Sequence, residues 1–554
     1  MNFLRSHSDM ESGRIRTAPG GHLHANRNEI FARTPAVTKE MLQKLQNAEL
    51  GPKKAHLCGY DFNIRQISIL IALFFLFALS SGIGYIFWYT EIFRNVVLQN
   101  LVISNQSDLY YNFVNPSPSL VRIYIYNYTN VREVATGEEP KLRVEELGPW
   151  VYEDRMHRTN INFSDDGTYV RYQEGHSYKF SPELSKGRMQ IDRVTVPNIP
   201  MLSGAAMFRR SYFLTRLGMS TLFKQLNAEP FVTVGADRFI LGYDDELFTL
   251  ARNMMALTRP FPFDKFGLLA TRRSSPDWIE MWTGKDDINK LGTVRTINNK
   301  SRMDNWDDEE SDNVNGVDGV LYPPENIHNK QSVDYLYKDF CRKAPMEFVE
   351  ETKILGGTMP AYRYEIPVDA FSHPSIGNPK NQGYCSADGT CAPHGLWNAT
   401  KCSFGTPIFV SLPHFLGADP KLREAVEGVT PPKKELHQTR LEFHPYMGFI
   451  MQGWNRIQTN IQVQKSFGMS ELGMFEDDII LPVAWMEFGA KAEEHPDYIM
   501  KIFNDSTYLV NGVDLGFKFG SILMMAVTAM CFFIVLLRNK RNKVSGASSM
   551  EIIS

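Results

Sequence analysis

Two stretches of this chain run without a charged residue for longer than a soluble fold needs, and they constrain everything between them. Ile67–Trp88 reads ISILIALFFLFALSSGIGYIFW, and Phe519–Leu537 reads FGSILMMAVTAMCFFIVLL. A helix rises ~1.5 Å per residue, so ~20 apolar residues cross a hydrocarbon core about 30 Å thick. Both runs meet that length, and each is expected to be a membrane span. Lys53, Lys54 and Arg65 precede the first, while Arg538, Lys540, Arg541 and Lys543 follow the second. Cationic flanks stay in the cytosol, so both termini are expected there. Trp88 and Tyr89 suit an interfacial anchor at the far side, where amphipathic rings prefer the headgroup layer. The first run follows a long polar tail, unlike a cleaved signal peptide.

The expected organisation is a cytosolic tail at 1–66, a span at 67–88, a large extracellular or lumenal domain at 89–518, a span at 519–537 and a short cytosolic tail at 538–554. Six N-x-[S/T] sequons, at Asn105, Asn127, Asn162, Asn299, Asn398 and Asn504, all fall between the spans. Glycosylation takes place only on lumenal chain, so this segregation agrees with the topology. Cys341, Cys385, Cys391 and Cys402 lie in the same segment, where an oxidising compartment favours bonding; four cysteines allow three pairings. Their spacing suits no common zinc site. Cys58, beside the first span, is a candidate for palmitoylation, a free thiol being the alternative.

With 554 residues, 43% hydrophobic and 22% charged, most of the chain is a folded, water-facing body. A net charge of −3 gives no bulk attraction to nucleic acid. In the tail, Met41, Leu42, Leu45 and Ala48 share a helical face suited to a cytosolic partner or the membrane surface. Between the spans, Val121–Tyr128, Ile191–Val196, Ile408–Leu412 and Ile457–Gln464 read as strands. In the last of these Ile457, Thr459, Ile461 and Val463 form the inner face of a half-buried strand. Many separated strands suggest a large antiparallel sheet or barrel. Gly204–Asn227 has helical spacing, with a break expected at Gly218, and its charges are all basic: Arg209, Arg210, Arg216 and Lys224. Such a patch attracts anionic ligands. Asp304–Asp318, acidic and rich in Asn and Gly, lacks calcium-loop spacing and reads as a solvated surface loop. There is no GxSxG, HExxH, P-loop or GxGxxG, so no enzyme class and no cofactor is indicated.

Three local strings go further. Glu145–Tyr152 (EELGPWVY), Trp282–Lys290 (WTGKDDINK) and Gly405–Leu416 (GTPIFVSLPHFL) resemble segments of the class B scavenger receptor family, and the resemblance runs from about Ile67 to about Arg541. It implies an α+β ectodomain with an irregular antiparallel β-barrel core, a lipid tunnel and an apical helical bundle. It also implies the bonds Cys341–Cys402 and Cys385–Cys391, and an apical ligand site at Arg209, Arg210, Arg216 and Lys224. The family's apical lysine has no clean match here; Gln225 is nearest, beside Lys224. The family's further upstream cysteine is missing near Asp307–Asp312, which would leave the acidic loop untethered. The implied ligands are fatty acids, sterols, phospholipids or lipoproteins, and homo-oligomers are compatible. The expected site is the plasma membrane, with an endosomal or lysosomal sorting receptor and a phagocytic adhesion receptor as alternatives. In the C-terminal SSMEIIS, Glu551 sits too close to Ile552-Ile553 for the usual dileucine spacing.

Overall fold

The computed structural model describes residues 54–57, 60–107, 109–257, 261–273, 275–357, 359–491 and 509–550. Met41, Leu42, Leu45, Ala48, Cys58 and Asn504 lie outside the described residues. Contact clustering divides the chain into one unit made of 1–81 with 522–554, and another made of 82–521.

Among its described residues the first unit is mostly helix. Ile64–Tyr89 is one helix of 26 residues, and Leu509–Met550 is one of 42. Their apolar side chains face outward, with Phe74 62%, Phe75 66% and Phe533 64% exposed. A core helix of a soluble protein would bury these rings, so the exposure belongs to a helix solvated by lipid. Inside a bilayer every backbone group needs an internal partner, which accounts for unbroken helix through both runs. The second helix continues past Leu537 through Arg538, Lys540 and Arg541, residues with good helix propensity.

The second unit is built on one large antiparallel sheet. Its ladder runs Val333–Tyr337, Arg342–Ile354, Met359–Glu365, Arg440–Phe443, Ile450–Gln462, Ile480–Ala490, Ser119–Tyr128, Val144–Phe163, Tyr169–Phe180, Ile279–Trp282 and Val294–Ile297. Ile408–Ser411 also pairs with Ile450–Gln462, and carries Trp397–Asn398 on its other edge. The ladder is an open path rather than a closed barrel. Among the described residues its two end strands are linked through the segment at Gly316-Val317, which bridges Thr293, just before one end strand, and Tyr335 in the other.

The β-branched and aromatic run Ser119–Tyr128 sits near the middle of this sheet, and Val121, Ile123, Ile125 and Tyr126 are fully buried. Its register with Val144–Phe163 skips at Tyr124, opposite Gly148-Pro149. Gly148 has φ +117°, and a Cβ there would lie 2.6 Å from the Ile123 carbonyl oxygen. That is why the EELGPWVY string needs its glycine.

Several expectations change. Ile450–Gln462 is covered on both faces: besides Ile457 and Ile461, Gln458 and Asn460 are fully buried. The alternating residues are polar because they form a network, not because they meet water. Gln458 Oε1 accepts from Tyr126 Oη at 3.0 Å and from the His414 N–H at 2.8 Å, and Asn460 Nδ2 donates to Ser411 Oγ at 3.1 Å. The helical stretch divides between Phe208 and Phe213, into Ile199–Phe208 and Phe213–Gln225, while Gly218 lies inside the second helix with open space around it. The strand at 191–196 is displaced to Arg193–Pro197.

The largest correction concerns Asp304–Asp318: Asp304, Asp307, Asp308, Glu309 and Glu310 are exposed, as a surface loop requires, but Asp312 is buried and Asp318 half-buried. Asp312, with its side chain 1% exposed, accepts backbone N–H groups from Asp304, Asn305 and Trp306 at 2.8–3.0 Å and pairs with Arg302 at 3.1 Å. Asp318 pairs with buried Arg158 at 2.6 Å. Trp306 Nε1 donates to the Cys341 carbonyl at 2.6 Å. Asp312 and Asp318 act as internal acceptors, so the loop is held without a third disulfide.

Candidate functional site

Inside the sheet lies a cavity of about 1200 Å³. That exceeds the ~300–1,000 Å³ usual for small-molecule pockets. Three helices, Ile199–Phe208, Phe213–Gln225 and Glu246–Met255, supply Phe208, Phe223, Phe248 and Met254 to its lining. Asn198 caps the first of these by accepting the Met201 N–H at 3.2 Å, and Asp245 caps the third by accepting the Phe248 N–H at 2.8 Å. Strands supply Leu441, Met451, Ile457, Met486 and Phe488.

One part of the lining is polar. His176 Nδ1 lies 2.8 Å from Asp154 Oδ1, both buried, and Glu174 pairs with Lys338. Burial works against the Glu174 charge, but Lys338 and Arg158 outweigh it and hold the carboxyl down at about 2. The Arg272 guanidinium stacks 4.5 Å from the centre of the Phe488 ring. The Tyr322 hydroxyl, on a residue 1% exposed, has no hydrogen-bond partner among the described residues. The cavity therefore has a largely apolar wall with one stretch of hydrogen-bonding groups.

The basic residues of the helical region are not all free. Arg209 makes two contacts of 2.7 Å, to Asp477 and Asp478. Lys224 is 3.7 Å from Glu471 with its side chain 63% exposed. Arg216 donates to the Arg209 carbonyl at 3.4 Å and sits over Phe467. Arg210 is exposed and has no ion pair among the described residues. Beside them stand Tyr212, 87% exposed, Leu214, 77%, and Phe467, 76%. Sequence reasoning missed both the acidic partners and this apolar surface. The acidic string Glu476-Asp477-Asp478 was visible, but nothing in the chain order placed it against residues 209–224.

Cys341 is bonded to Cys402 and Cys385 to Cys391, with Cα–Cα distances of 5.9 and 4.4 Å. Asn105, Asn162 and Asn299 are exposed, while Asn127 and Asn398 are partly covered. Asn127 Oδ1 accepts the Thr195 N–H at 2.8 Å. Among the described residues, no group of three or more His, Cys, Asp or Glu is placed to hold a metal ion.

Comparison with known proteins gives a concordant picture. The model of the CD36 family matches residues 70–537. Scavenger receptor class B member 1 of Sus scrofa is 30% identical over 440 residues, covering 79% of this chain and 83% of that protein. The Bos taurus protein of the same name is 31% identical over 409 residues, covering 73% and 77%. Lysosome membrane protein 2 of Homo sapiens is 28% identical over 430 residues, covering 76% and 86%.

Proposed function

Because this chain belongs to the CD36 family, a family of non-enzymatic receptors, we propose that it is a two-span surface receptor that binds lipids, lipoproteins or anionic phospholipid particles and passes lipid through its ectodomain. The cavity of about 1200 Å³ is the observation that carries this reading. In it the open sheet, bridged at Val317, acts as a barrel around a tunnel, and the helices at 199–225 and 246–255 form its apical bundle. Exposed Arg210 and Lys224 meet anionic headgroups, while Tyr212 and Leu214 enter the apolar layer beneath them. Arg209 holds the bundle to Asp477 and Asp478, Arg216 braces it from the Arg209 carbonyl and Phe467, and both contribute to capture from there. Both tails are cytosolic, the sequons between the spans carry glycans, and the protein works at the plasma membrane.

Each CH₂ moved from water into the cavity gains about 0.8 kcal/mol, so downhill transfer needs no catalysis and no ATP. The test is uptake of labelled fatty acid and sterol ester by cells displaying equal amounts of wild-type protein or either of two plugged forms. Ala251→Trp fills the lining from a helix, and Ala490→Trp fills it from a strand. Each plug is expected to reduce transfer about tenfold while particle binding persists. Normal display with no lipid transfer by the wild type would instead favour adhesion, and retention in lysosomes, the location in the name of the relative lysosome membrane protein 2, would favour a sorting receptor.

A further inference from the structure

A cleft of about 920 Å³ lies on the opposite face of the strands that line the cavity. Alternation along Ile450–Gln462 and Ile480–Ala490 sends Asn455, Ile457, Met486 and Phe488 to the cavity, and Trp454, Arg456, Trp485 and Glu487 to the cleft. Two of the strings singled out in the sequence meet there. EELGPWVY brings Glu146, and GTPIFVSLPHFL brings His414, whose backbone is held at φ +55° by the buried Gln458. The floor is aromatic. Tyr124 stacks on Trp485 at 3.8 Å, His437 stacks on His414 at 4.1 Å, and Trp485 meets both imidazoles edge-on.

Most of the acids in the cleft are already engaged. Glu487 holds Arg122 at 3.2 Å and Arg456 at 2.8 Å, and Glu442 holds Arg363 at 3.0 Å. Glu146 lies 2.6 Å from His414 Nε2 and accepts from Trp485 Nε1 at 3.1 Å. Three donors remain, all on the segment 433–440. Arg440 reaches the Glu435 carbonyl at 3.1 Å but meets no carboxylate among the described residues, and Lys433 likewise has no acid partner. His437 Nδ1 accepts the Lys433 N–H at 3.0 Å, so its proton resides on Nε2, which has no acceptor among the described residues. Burial, then the charges of His414 and Arg456, hold His437 down at about 4, so it stays neutral and donates at pH 7.

Two cations and an N–H donor over an aromatic floor, with Glu146, Glu442 and Glu487 occupied and only the exposed Glu435 without an ion pair among the described residues, make a site for a tetrahedral oxyanion carried on an organic group. We propose that this cleft binds a phosphate ester, with Arg440, Lys433 and His437 Nε2 on the phosphate oxygens and the Tyr124–Trp485 stack beneath the ester group. The ester comes either from a soluble phosphorylated compound or from a phospholipid headgroup. The cleft adjoins the lipid cavity at Gln452, Gly453 and Lys491, but Arg440, Lys433 and His437 line the cleft and not the cavity, so phosphate binding does not depend on lipid transfer.

The test uses the full-length protein in non-ionic detergent, titrated with sn-glycerol 3-phosphate and with a short-chain phosphatidic acid, and followed by phosphorus NMR line broadening and calorimetry. Wild-type protein is expected to bind at least one of them, and Arg440→Gln with Lys433→Gln to weaken that binding tenfold or more. The charge-keeping pair Arg440→Lys and Lys433→Arg should retain most of it. Binding of glycerol phosphate points to a soluble ester or an isolated headgroup; binding of the phosphatidic acid alone, lost in the glutamine variant, points to a lipid. Both support the site. The cavity plug Ala251→Trp should leave phosphate binding unchanged, which separates this test from that of lipid transfer. No binding of either probe, or equal binding by the glutamine variant with an unaltered unfolding temperature, overturns the proposal.

Discussion

Replacing Arg158 with methionine is expected to cost the ectodomain about 3–5 kcal/mol, the usual penalty for stranding one partner of a buried ion pair. The Arg158 side chain is 0% exposed and that of Asp318 is 6%. One guanidinium nitrogen contacts Asp318 Oδ2 at 2.6 Å, another donates to the Phe113 carbonyl at 2.6 Å, and the group packs over the rings of Phe113 and Tyr172. Asp318 Oδ1 in turn accepts the N–H groups of Val320 and Leu321 at 2.9 and 3.2 Å. The pair thus fixes the segment whose Val317 bridges the two end strands of the sheet. Arg158→Met leaves a buried carboxylate with no counter-charge. With ΔS of unfolding near 2.1 cal/mol/K per residue, the ectodomain midpoint should fall by about 3–6 °C. Adding Asp318→Asn keeps the acceptor for the two N–H groups and removes the stranded charge, so the double variant should recover most of the loss. Differential scanning fluorimetry of the three proteins checks this; an Arg158→Met midpoint equal to wild type would show that the pair does not hold the sheet ends.

Acid should weaken the fold well above the carboxylate range, because buried neutral histidines must gain protons. His444 is 2% exposed, and its Nδ1 accepts the N–H groups of Tyr446 and Met447, each at 3.2 Å. Burial pushes its pKa down from 6.5 to about 4. An unfolded chain takes up this proton below pH ~6.5, whereas the folded chain takes it up only near 4. The contribution is therefore complete above 6.5 and shrinks as pH falls, by about 1.4 kcal/mol per unit, to a loss of roughly 3 kcal/mol near pH 4. His437 shifts in the same direction. Midpoints taken from pH 7.5 to 4.5 should fall steadily. His444→Asn, which keeps an acceptor in place of Nδ1 but does not titrate, should flatten the profile. An undiminished slope in that variant would remove His444 from the account.

Legibility in the sequence followed the range of the interactions. The spans were readable because a charge-free run long enough to cross a bilayer has one stable solution; the first helix ends close to the expected run, at Ile64 and Tyr89, whereas the second extends well beyond its run, from Leu509 to Met550. Val121–Tyr128 was readable because β-branched and aromatic residues in the middle of a sheet are covered on both sides. Ile457–Gln464 was read correctly as a strand and wrongly as half-buried: polar Gln458 and Asn460 signalled solvent, but Tyr126, Ser411 and His414 supply their partners from elsewhere in the chain. In Asp304–Asp318 the exposed acids fit the surface reading and Asp312 and Asp318 do not, since an aspartate that caps its own loop looks in sequence like one that faces water. The cavity and the polar cleft could not be read directly, because their walls combine residues hundreds of positions apart, as Tyr124 with Trp485 and Met156 with Phe488.

The central claim, that lipid occupies the cavity inside the sheet, is tested most directly by photolabelling. Cells displaying the protein would be given diazirine-bearing fatty acid and sterol, irradiated, and the adducts mapped by mass spectrometry. The account predicts adducts on cavity-lining residues such as Phe248, Tyr322, Leu441 and Met451, competed by unlabelled lipid and lost in Ala251→Trp and Ala490→Trp. Adducts confined to the two membrane helices and the outer surface, and unchanged by the plugs, would contradict it.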